Sequence, residues 1–328
     1  MSLAALDIAF DANGRDTCWH FARVSGPDVA RGMVGRTPQE AADLLPRIYN
    51  LCGGAHAVAA ADALGLPRPA RDGRNERLRD HAVAVFADWP ALFGGAPDRT
   101  ALRQLAGDAQ DRLALCRHVL GDDSTGLDLA QGTPAELANW LARAASPTAR
   151  LMRRLRETAR PGWGQVDLDR PNMADITAAL AEGAPRVARE TTVADDWRAA
   201  PLIRALAARE GMSLFVRLLA RLLDLLAGLA GQREPAPHLN PPPGIGLACA
   251  ARGLLAHRAR VAGGIITDYR VLAPSAWNLA PDGLLARMLA TLPANDATPL
   301  LARIAIAAVN PCVPVRLHVG RLEERAHA

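Results

Sequence analysis

Two short stretches near opposite ends of this chain constrain its fold more than anything between them. Residues 47–56 read RIYNLCGGAH and residues 310–318 read NPCVPVRLH. Each holds one cysteine, Cys52 or Cys312, followed a few residues later by a histidine, His56 or His318. About 260 residues separate the cysteines, so they meet only if the fold returns the end of the chain to its beginning. The run 55–64 has helical composition, which places Cys52 at a helix N-terminus. The dipole and free amides there favour a thiolate, and His56 lies one turn on along the same face. Either stretch is a weak signal alone, because a cysteine at a helix start is most often a core residue.

The residues between set the fold class. Half of the chain is hydrophobic but only 4% is aromatic, so the core is Ala, Leu and Val, which favours helix over sheet. We expect a mainly α fold with small β-hairpins (α+β). Length allows one or two domains. One domain over 1–328 is expected, with an N-terminal motif segment (1–65), a helical middle (66–232), a proline-rich loop (233–244) and a C-terminal motif segment (245–328). The net charge of +4 is spread along helices, which gives nucleic-acid binding little support. Five cysteines without paired spacing make no disulfide framework, and the N-terminus lacks a basic secretory n-region. Reduced thiols in a cytoplasm are therefore expected. Residues 212–230 are rich in leucine, but Arg217, Arg221 and Asp224 interrupt them on one helical face. That pattern reads as a soluble amphipathic helix and not as a membrane span.

In chain order, 3–10 and 18–24 read as strands, with turns at Asn13-Gly14 and Gly26-Pro27. Thr37-Pro38-Gln39-Glu40 is a capping box that opens a helix running to about Leu45, where Pro46 interrupts. Further helices are expected over 76–87, 100–120, 134–160, 175–182, 198–210, 212–230, 282–291 and 297–308. The segment 233–244 holds five prolines and is neither helix nor central strand. After it, 245–257 reads as irregular or helical, and 258–261 with 265–272 as a hairpin around Gly263-Gly264.

Several chemistries are excluded. The chain has no phosphate-binding Gly-x-x-x-x-Gly-Lys loop, no serine-nucleophile elbow, no His-Glu-x-x-His and no paired Cys-x-x-Cys for structural zinc. Cys18 and Cys116 sit in ordinary strand and helix patterns and read as core. His20, His81, His118, His238 and His327 have no partner pattern.

The two ends together resemble the nickel–iron hydrogenase large subunit. That family carries Arg-x-Cys-Gly-x-Cys-x-x-x-His early and Asp-Pro-Cys-x-x-Cys-x-x-His at its C-terminus. Arg47, Cys52 and His56 match the first motif, and Pro311, Cys312 and His318 match the second. Between them, GIGLACAARGLLAH matches the family's Glu-Ala-Pro-Arg-Gly-x-Leu-x-His segment through Arg252, Gly253, Leu255 and His257. Pro274, Trp277 and Asn278 match its Pro-Thr-x-Trp-Asn segment. The resemblance covers about 1–65 and 240–320 and implies a truncated large-subunit-like fold.

The departures bear on function. Tyr49 stands at the position of one terminal nickel ligand and Val315 at that of a bridging ligand, whereas Cys52 and Cys312 keep their positions. Two thiolates cannot make the sulfur-rich nickel centre, so the resemblance implies no nickel and no enzymatic hydrogen turnover. The iron side survives. In the family, iron carries one carbon monoxide and two cyanides. The residues matching Arg252 and Ser275 bond cyanide, and those matching Leu255 and Pro274 line the diatomic pocket. Arg47, His56, His257 and His318 are supporting positions. This pattern is similar to the HupK/HoxV group of hydrogenase accessory proteins. It implies transient binding of Fe(CN)2(CO) by Cys52 and Cys312, with maturation proteins of the HypC and HypD type and the large-subunit precursor as partners. Cys249 would be a third, transfer-stage thiolate if its stretch is helical; a core cysteine is the default reading. The rival is a metal-free chaperone or adaptor that mimics the large subunit. No cleavage of the tail beyond His318 is expected.

Overall fold

The structure is a computed structural model and describes residues 5–11, 18–24, 28–70, 72–231 and 239–319. The leucine run forms the helix Leu214–Leu229, capped by Ser213, whose hydroxyl accepts from the Val216 amide at 3.3 Å. Its polar stripe was expected to face water, and it does not. Every residue of the helix except Gly228 is buried, Arg217, Arg221 and Asp224 included. The stripe meets polar partners inside the protein instead. Arg217 donates to both carboxylate oxygens of Glu190, at 2.9 and 2.6 Å, and to the carbonyls of Val166 and Met212. Asp224 accepts two bonds from Arg77, at 2.7 and 2.8 Å, and one from the Trp197 indole at 2.9 Å. A period of 3.6 residues reports a polar face; it does not report what covers that face.

This helix anchors both ends of the chain. It shares one apolar cluster with Leu6 and Ile8 near the start and with Leu301, Ile304 and Val309 near the end. Strands β1 (Ala5–Asp11) and β2 (Cys18–Val24) pair antiparallel, and β6 (Val315–Val319) joins β1 on its other side, parallel, with Leu6 opposite Val315 and Ile8 opposite Leu317. That pairing is how the end of the chain returns to its beginning. β6 was not expected from the sequence, since five residues on an edge carry little periodic signal. Cys18, expected in the core, is exposed at the start of β2, whereas Cys116 is buried.

The second sheet is a meander of β3 (Ile245–Ala250), β4 (Gly253–Ala262) and β5 (Ile265–Leu272). The β4–β5 hairpin turns at Gly263 and Gly264, both at positive φ, as expected. The expected irregular or helical stretch over 245–257 is instead the β3–β4 hairpin. β3 is covered on both faces and so shows no alternation, which leaves a short apolar run unreadable as helix or strand.

Helix α1 (Pro38–Ile48) starts at the expected capping box, with the Thr37 amide 2.8 Å from the Glu40 carboxylate. It continues through Pro46 and not to about Leu45, because a proline near the last turn removes only its own N–H bond. Helix α2 (Gly53–Leu64) follows, packed on β3. Helix α3 (Arg74–Val83) runs on through a π turn at Ala84–Asp88 into Trp89–Leu92. The expected helices 100–120 and 134–160 each divide, because Asp108 and Ser146 cap new helices at Ala109–Leu120 and Pro147–Thr158. Those expected over 175–182, 198–210, 282–291 and 297–308 stand at Met173–Glu182, Pro201–Glu210, Leu284–Ala290 and Thr298–Val309. The turns at Asn13-Gly14 and Gly26-Pro27, the first half of the proline-rich loop (233–238, His238 included), His327 and the tail after Val319 lie outside the described residues.

Candidate functional site

Cys52 is the N-cap residue of α2, as its sequence position implied. The helix start does not stabilise a thiolate there, however. The Gly54 amide already donates to the Glu76 carboxylate at 2.7 Å, so an acid from α3 answers the helix N-terminus. Burial, the neighbouring Cys312 and the acids Asp80 and Glu76 push the Cys52 thiol up to about 12, and Arg252 opposes them only in part. At neutral pH this sulfur carries its proton, and a metal would have to displace it.

Cys312 comes from the far end. The helix Thr298–Val309 stops at Asn310, whose φ of 51° is left-handed, and Pro311 prevents its resumption. The next residue, Cys312, is fastened to Ser275 twice. Its sulfur lies 3.0 Å from the Ser275 hydroxyl, and its amide donates to that same oxygen at 3.2 Å. Ser275 is held in turn by the short helix Pro274–Asn278, whose Asn278 side chain accepts from the Thr191 amide at 3.1 Å. Thr191 also donates its hydroxyl to the Pro274 carbonyl at 3.3 Å.

Arg252 sits in the β3–β4 turn and donates to Asp80 of α3 at 2.6 Å, with both side chains almost covered. Three separate segments thus present a sulfur, a sulfur with a hydroxyl, and a guanidinium–carboxylate pair. Their charges are close enough to act on one another, as the Cys52 shift records. A cleft of about 420 Å³ opens at the Arg252–Asp80 pair, lined also by Arg79, Asp88 and the chain neighbours of the two cysteines, Asn50 and Asn310, and not by the cysteines themselves.

Leu255 is fully buried in the small apolar cluster against which Cys52 packs. His56 and His257 form a buried column behind the cysteine. The Tyr49 ring stacks on His56 at 4.1 Å, His56 Nδ1 meets His257 Nε2 at 2.9 Å, and His257 Nδ1 meets the Tyr269 hydroxyl at 2.8 Å. Burial pulls His56 down to about 3 and lowers His257 as well, so both rings are neutral. Tyr49 is raised to about 12, first by burial, then by Asp28 and by both sulfurs. Arg47 in α1 and His318 in β6 are both exposed.

Cys249 does not stand one helical turn from Arg252. It lies on β3 opposite Leu254, and its electrostatic neighbours are Asp196, Arg77 and Asp224. Burial pushes it up to about 12. It lines a separate cavity of about 30 Å³, room for about one water. Among the described residues, no three His, Cys, Asp or Glu side chains gather into a metal-holding group. Sequence reasoning missed Asp80, Glu76, Arg77 and Arg221, and set His81 aside. All but Arg221 lie in one charged stretch of α3, whose periodicity reports a face and not which partners that face meets.

The fold is that of the nickel–iron hydrogenase large subunit. The chain matches a nickel–iron–selenium hydrogenase from Desulfomicrobium baculatum with a TM-score of 0.55 at 13% identity, covering 92% of this chain and 95% of that one. It matches an NAD+-reducing nickel–iron hydrogenase with a TM-score of 0.52 at 18% identity, covering 90% and 92%. No family profile matches the chain. Among curated proteins, it is 35% identical to the hydrogenase expression/formation protein HupK of Rhodobacter capsulatus over 99% of both chains. It is 30% identical to HoxV of Cupriavidus necator, covering 92% of this chain and 94% of that one. The chain belongs to this HupK/HoxV family of hydrogenase expression/formation proteins.

Proposed function

We propose that this protein is a maturation scaffold for nickel–iron hydrogenase and takes Fe(CN)2(CO) as cargo, not as a resident cofactor. The observation that supports the reading is that Cys52, Cys312 with Ser275, and Arg252 come from three distant segments into electrostatic range of one another, beside a cleft that Arg252 lines. Thiolates suit low-spin iron, a guanidinium offsets the charge of cyanide, and a hydroxyl directs a ligand. With only two sulfurs supplied here, a bound iron must bring most of its own ligands, as this fragment does. Few protein bonds and a Cys52 thiol that readily takes its proton back favour release over storage. The scaffold acts without turnover, in the cytoplasm, between maturation proteins of the HypC and HypD type and the large-subunit precursor. Among the described residues, no helix is long and apolar enough to cross a membrane.

Infrared spectroscopy of protein produced together with the maturation machinery tests this. Carbon monoxide and cyanide stretches are expected in the parent and are expected to vanish in Cys52→Ala and in Cys312→Ala. Bands that persist in both variants would remove the cysteines from the proposal. A metal-free adaptor is the second reading, and the neutral, half-buried Cys52 thiol is the observation in its favour. It wins if the double alanine variant still supports full hydrogenase activity in cells.

A further inference from the structure

A second concavity, of about 280 Å³, lies between the π turn Ala84–Asp88 and the helix Pro147–Thr158. Val85 and Phe86 form a buried floor, and Phe93 and Leu151 are half-buried walls. Arg150 and Arg154 stand exposed on its rim, one helical turn apart, a spacing at which like charges destabilise a helix. Among the described residues neither has a carboxylate partner. Arg150 donates to the Ala144 carbonyl at 3.3 Å, and the Arg154 guanidinium lies over the Phe93 ring, 4.3 Å from its centre. Their neighbours on the same helix are paired: Arg156 with Glu210 at 2.6 Å and Arg153 with Glu157 at 4.0 Å. The groove's own acid, Asp98, is already taken by the His118 ring at 2.7 Å and the Ala101 amide at 2.9 Å.

We propose that this groove docks an acidic segment of a partner protein, with an apolar anchor residue on the Phe86 floor and carboxylates on Arg150 and Arg154. The proposal goes beyond the cysteine site and does not depend on any metal. Charge complementarity selects the occupant, because two guanidiniums are held in place with unused N–H edges beside an apolar floor. Stacking on Phe93 and the bond to Ala144 fix them before a ligand arrives, so little freedom is lost on docking. The volume falls just below the roughly 300–1,000 Å³ typical of small-molecule pockets and suits one or two large side chains. Nucleic acid is a poorer match, since a rim of two arginines is too short to track a phosphate backbone. The π turn also gives the groove a place relative to the cysteines. Val85 and Phe86 face the groove, whereas Val83 and Asp88 line the cleft beside Arg252. A segment held here would sit back to back with the cysteine site.

The test is selection of a random twelve-residue phage-displayed library on the intact protein, followed by fluorescence anisotropy with the selected peptides. Enriched peptides are expected to carry a large apolar residue flanked by Asp or Glu. Their affinity is expected to fall at least tenfold in the double variant Arg150→Glu/Arg154→Glu and to be unchanged in Arg204→Glu, an exposed control on another helix. Circular dichroism confirms that each variant is folded. Failure to enrich any peptide, enrichment of peptides without acids, or binding that survives the double charge reversal would overturn the proposal.

Discussion

The polar face of the central helix and the cysteine cleft use the same kinds of group to opposite ends. On the helix, Asp224 is surrounded by donors, Arg217 is paired with Glu190 from a neighbouring loop, and the Asp224 carboxyl, which burial alone would raise, is held well below its usual range by Arg77 and His81. At the cysteine site, burial holds the Cys52 sulfur protonated, Asp88 in the adjoining cleft is raised by partial burial, and about 420 Å³ lies open to solvent. One region is closed upon itself and the other is open to solvent. They are joined by two bonds. Arg77 donates to the carbonyl of Ala250 at 3.4 Å, and Arg221 donates to that of Ala251 at 3.3 Å, the two residues just before Arg252. The middle of the chain, which carries no recognisable motif, is therefore the platform for the turn that presents the guanidinium.

The most severe break in that platform is Asp224→Ala. It leaves Arg77 and His81 buried without their shared acid, and removal of one partner from a buried pair is expected to lower stability by about 3–5 kcal/mol. Denaturant unfolding of parent and variant measures it. A loss below about 1 kcal/mol would mean that the network does not hold the fold together.

Gly253→Ala attacks the joint between the two regions. Gly253 has φ of 119°, and an added Cβ would lie 1.4 Å from the Thr191 carbonyl oxygen. The backbone conformation alone is expected to cost about 1–3 kcal/mol. If the middle of the chain positions Arg252, the same variant should also shift or abolish any cyanide bands, whereas a purely structural glycine would lower the melting temperature and leave them unmoved.

This joint also marks the limit of what could be read from the chain itself. The segments that carry Cys52, Arg252, Ser275 and Cys312 stand out in the sequence because each is a short motif whose spacing survives any packing. The capping box at Thr37 was legible for the same reason, since its bonds close within four residues. Asp80 and Glu76 were not, because their partners lie in other segments and only the docking of α3 selects them. The buried fate of Arg217 and Asp224 was hidden in the same way. β3 was misread because strands covered on both faces lose their alternation.

Acid sharpens the contrast through buried histidines. His56 and His81 are held down to about 3 and about 4, first by burial, and His257 is lowered by burial and by His56. In the unfolded chain each takes a proton near pH 6.5, whereas in the folded protein each stays neutral. Stability is therefore full above that pH and falls as pH drops toward the folded values. Each histidine steepens the fall by at most about 1.4 kcal/mol per pH unit. His56→Gln is expected to flatten the decline between pH 6 and 4 by up to that amount, read from urea unfolding across the range. An unchanged slope would show that His56 is already protonated in the fold.

Arg221→Met asks whether every buried charge in the platform contributes. Arg221 is fully buried, its Nε and Nη2 have no bonded partner among the described residues, and burial with the nearby Arg252 draws it down to about 9. An apolar side chain of similar length is expected to leave stability within about 1 kcal/mol of the parent, since a poorly paired buried charge adds little. A loss as large as that of Asp224→Ala would place Arg221 in the closed network after all.

Ser275→Ala should be the mildest change to stability and the most telling for the cleft. The hydroxyl makes its two described bonds to Cys312, which is half-exposed, so its loss is expected to lower stability by only about 1 kcal/mol. The Cys312 amide then loses its acceptor, and the sulfur loses the contact that orients it. If the cleft holds the iron fragment as proposed, the cyanide stretches should shift or broaden while the carbon monoxide band persists. Ser275→Thr, which restores the hydroxyl, should recover the parent spectrum. A spectrum identical in all three proteins would mean that Ser275 positions Cys312 alone and touches no ligand.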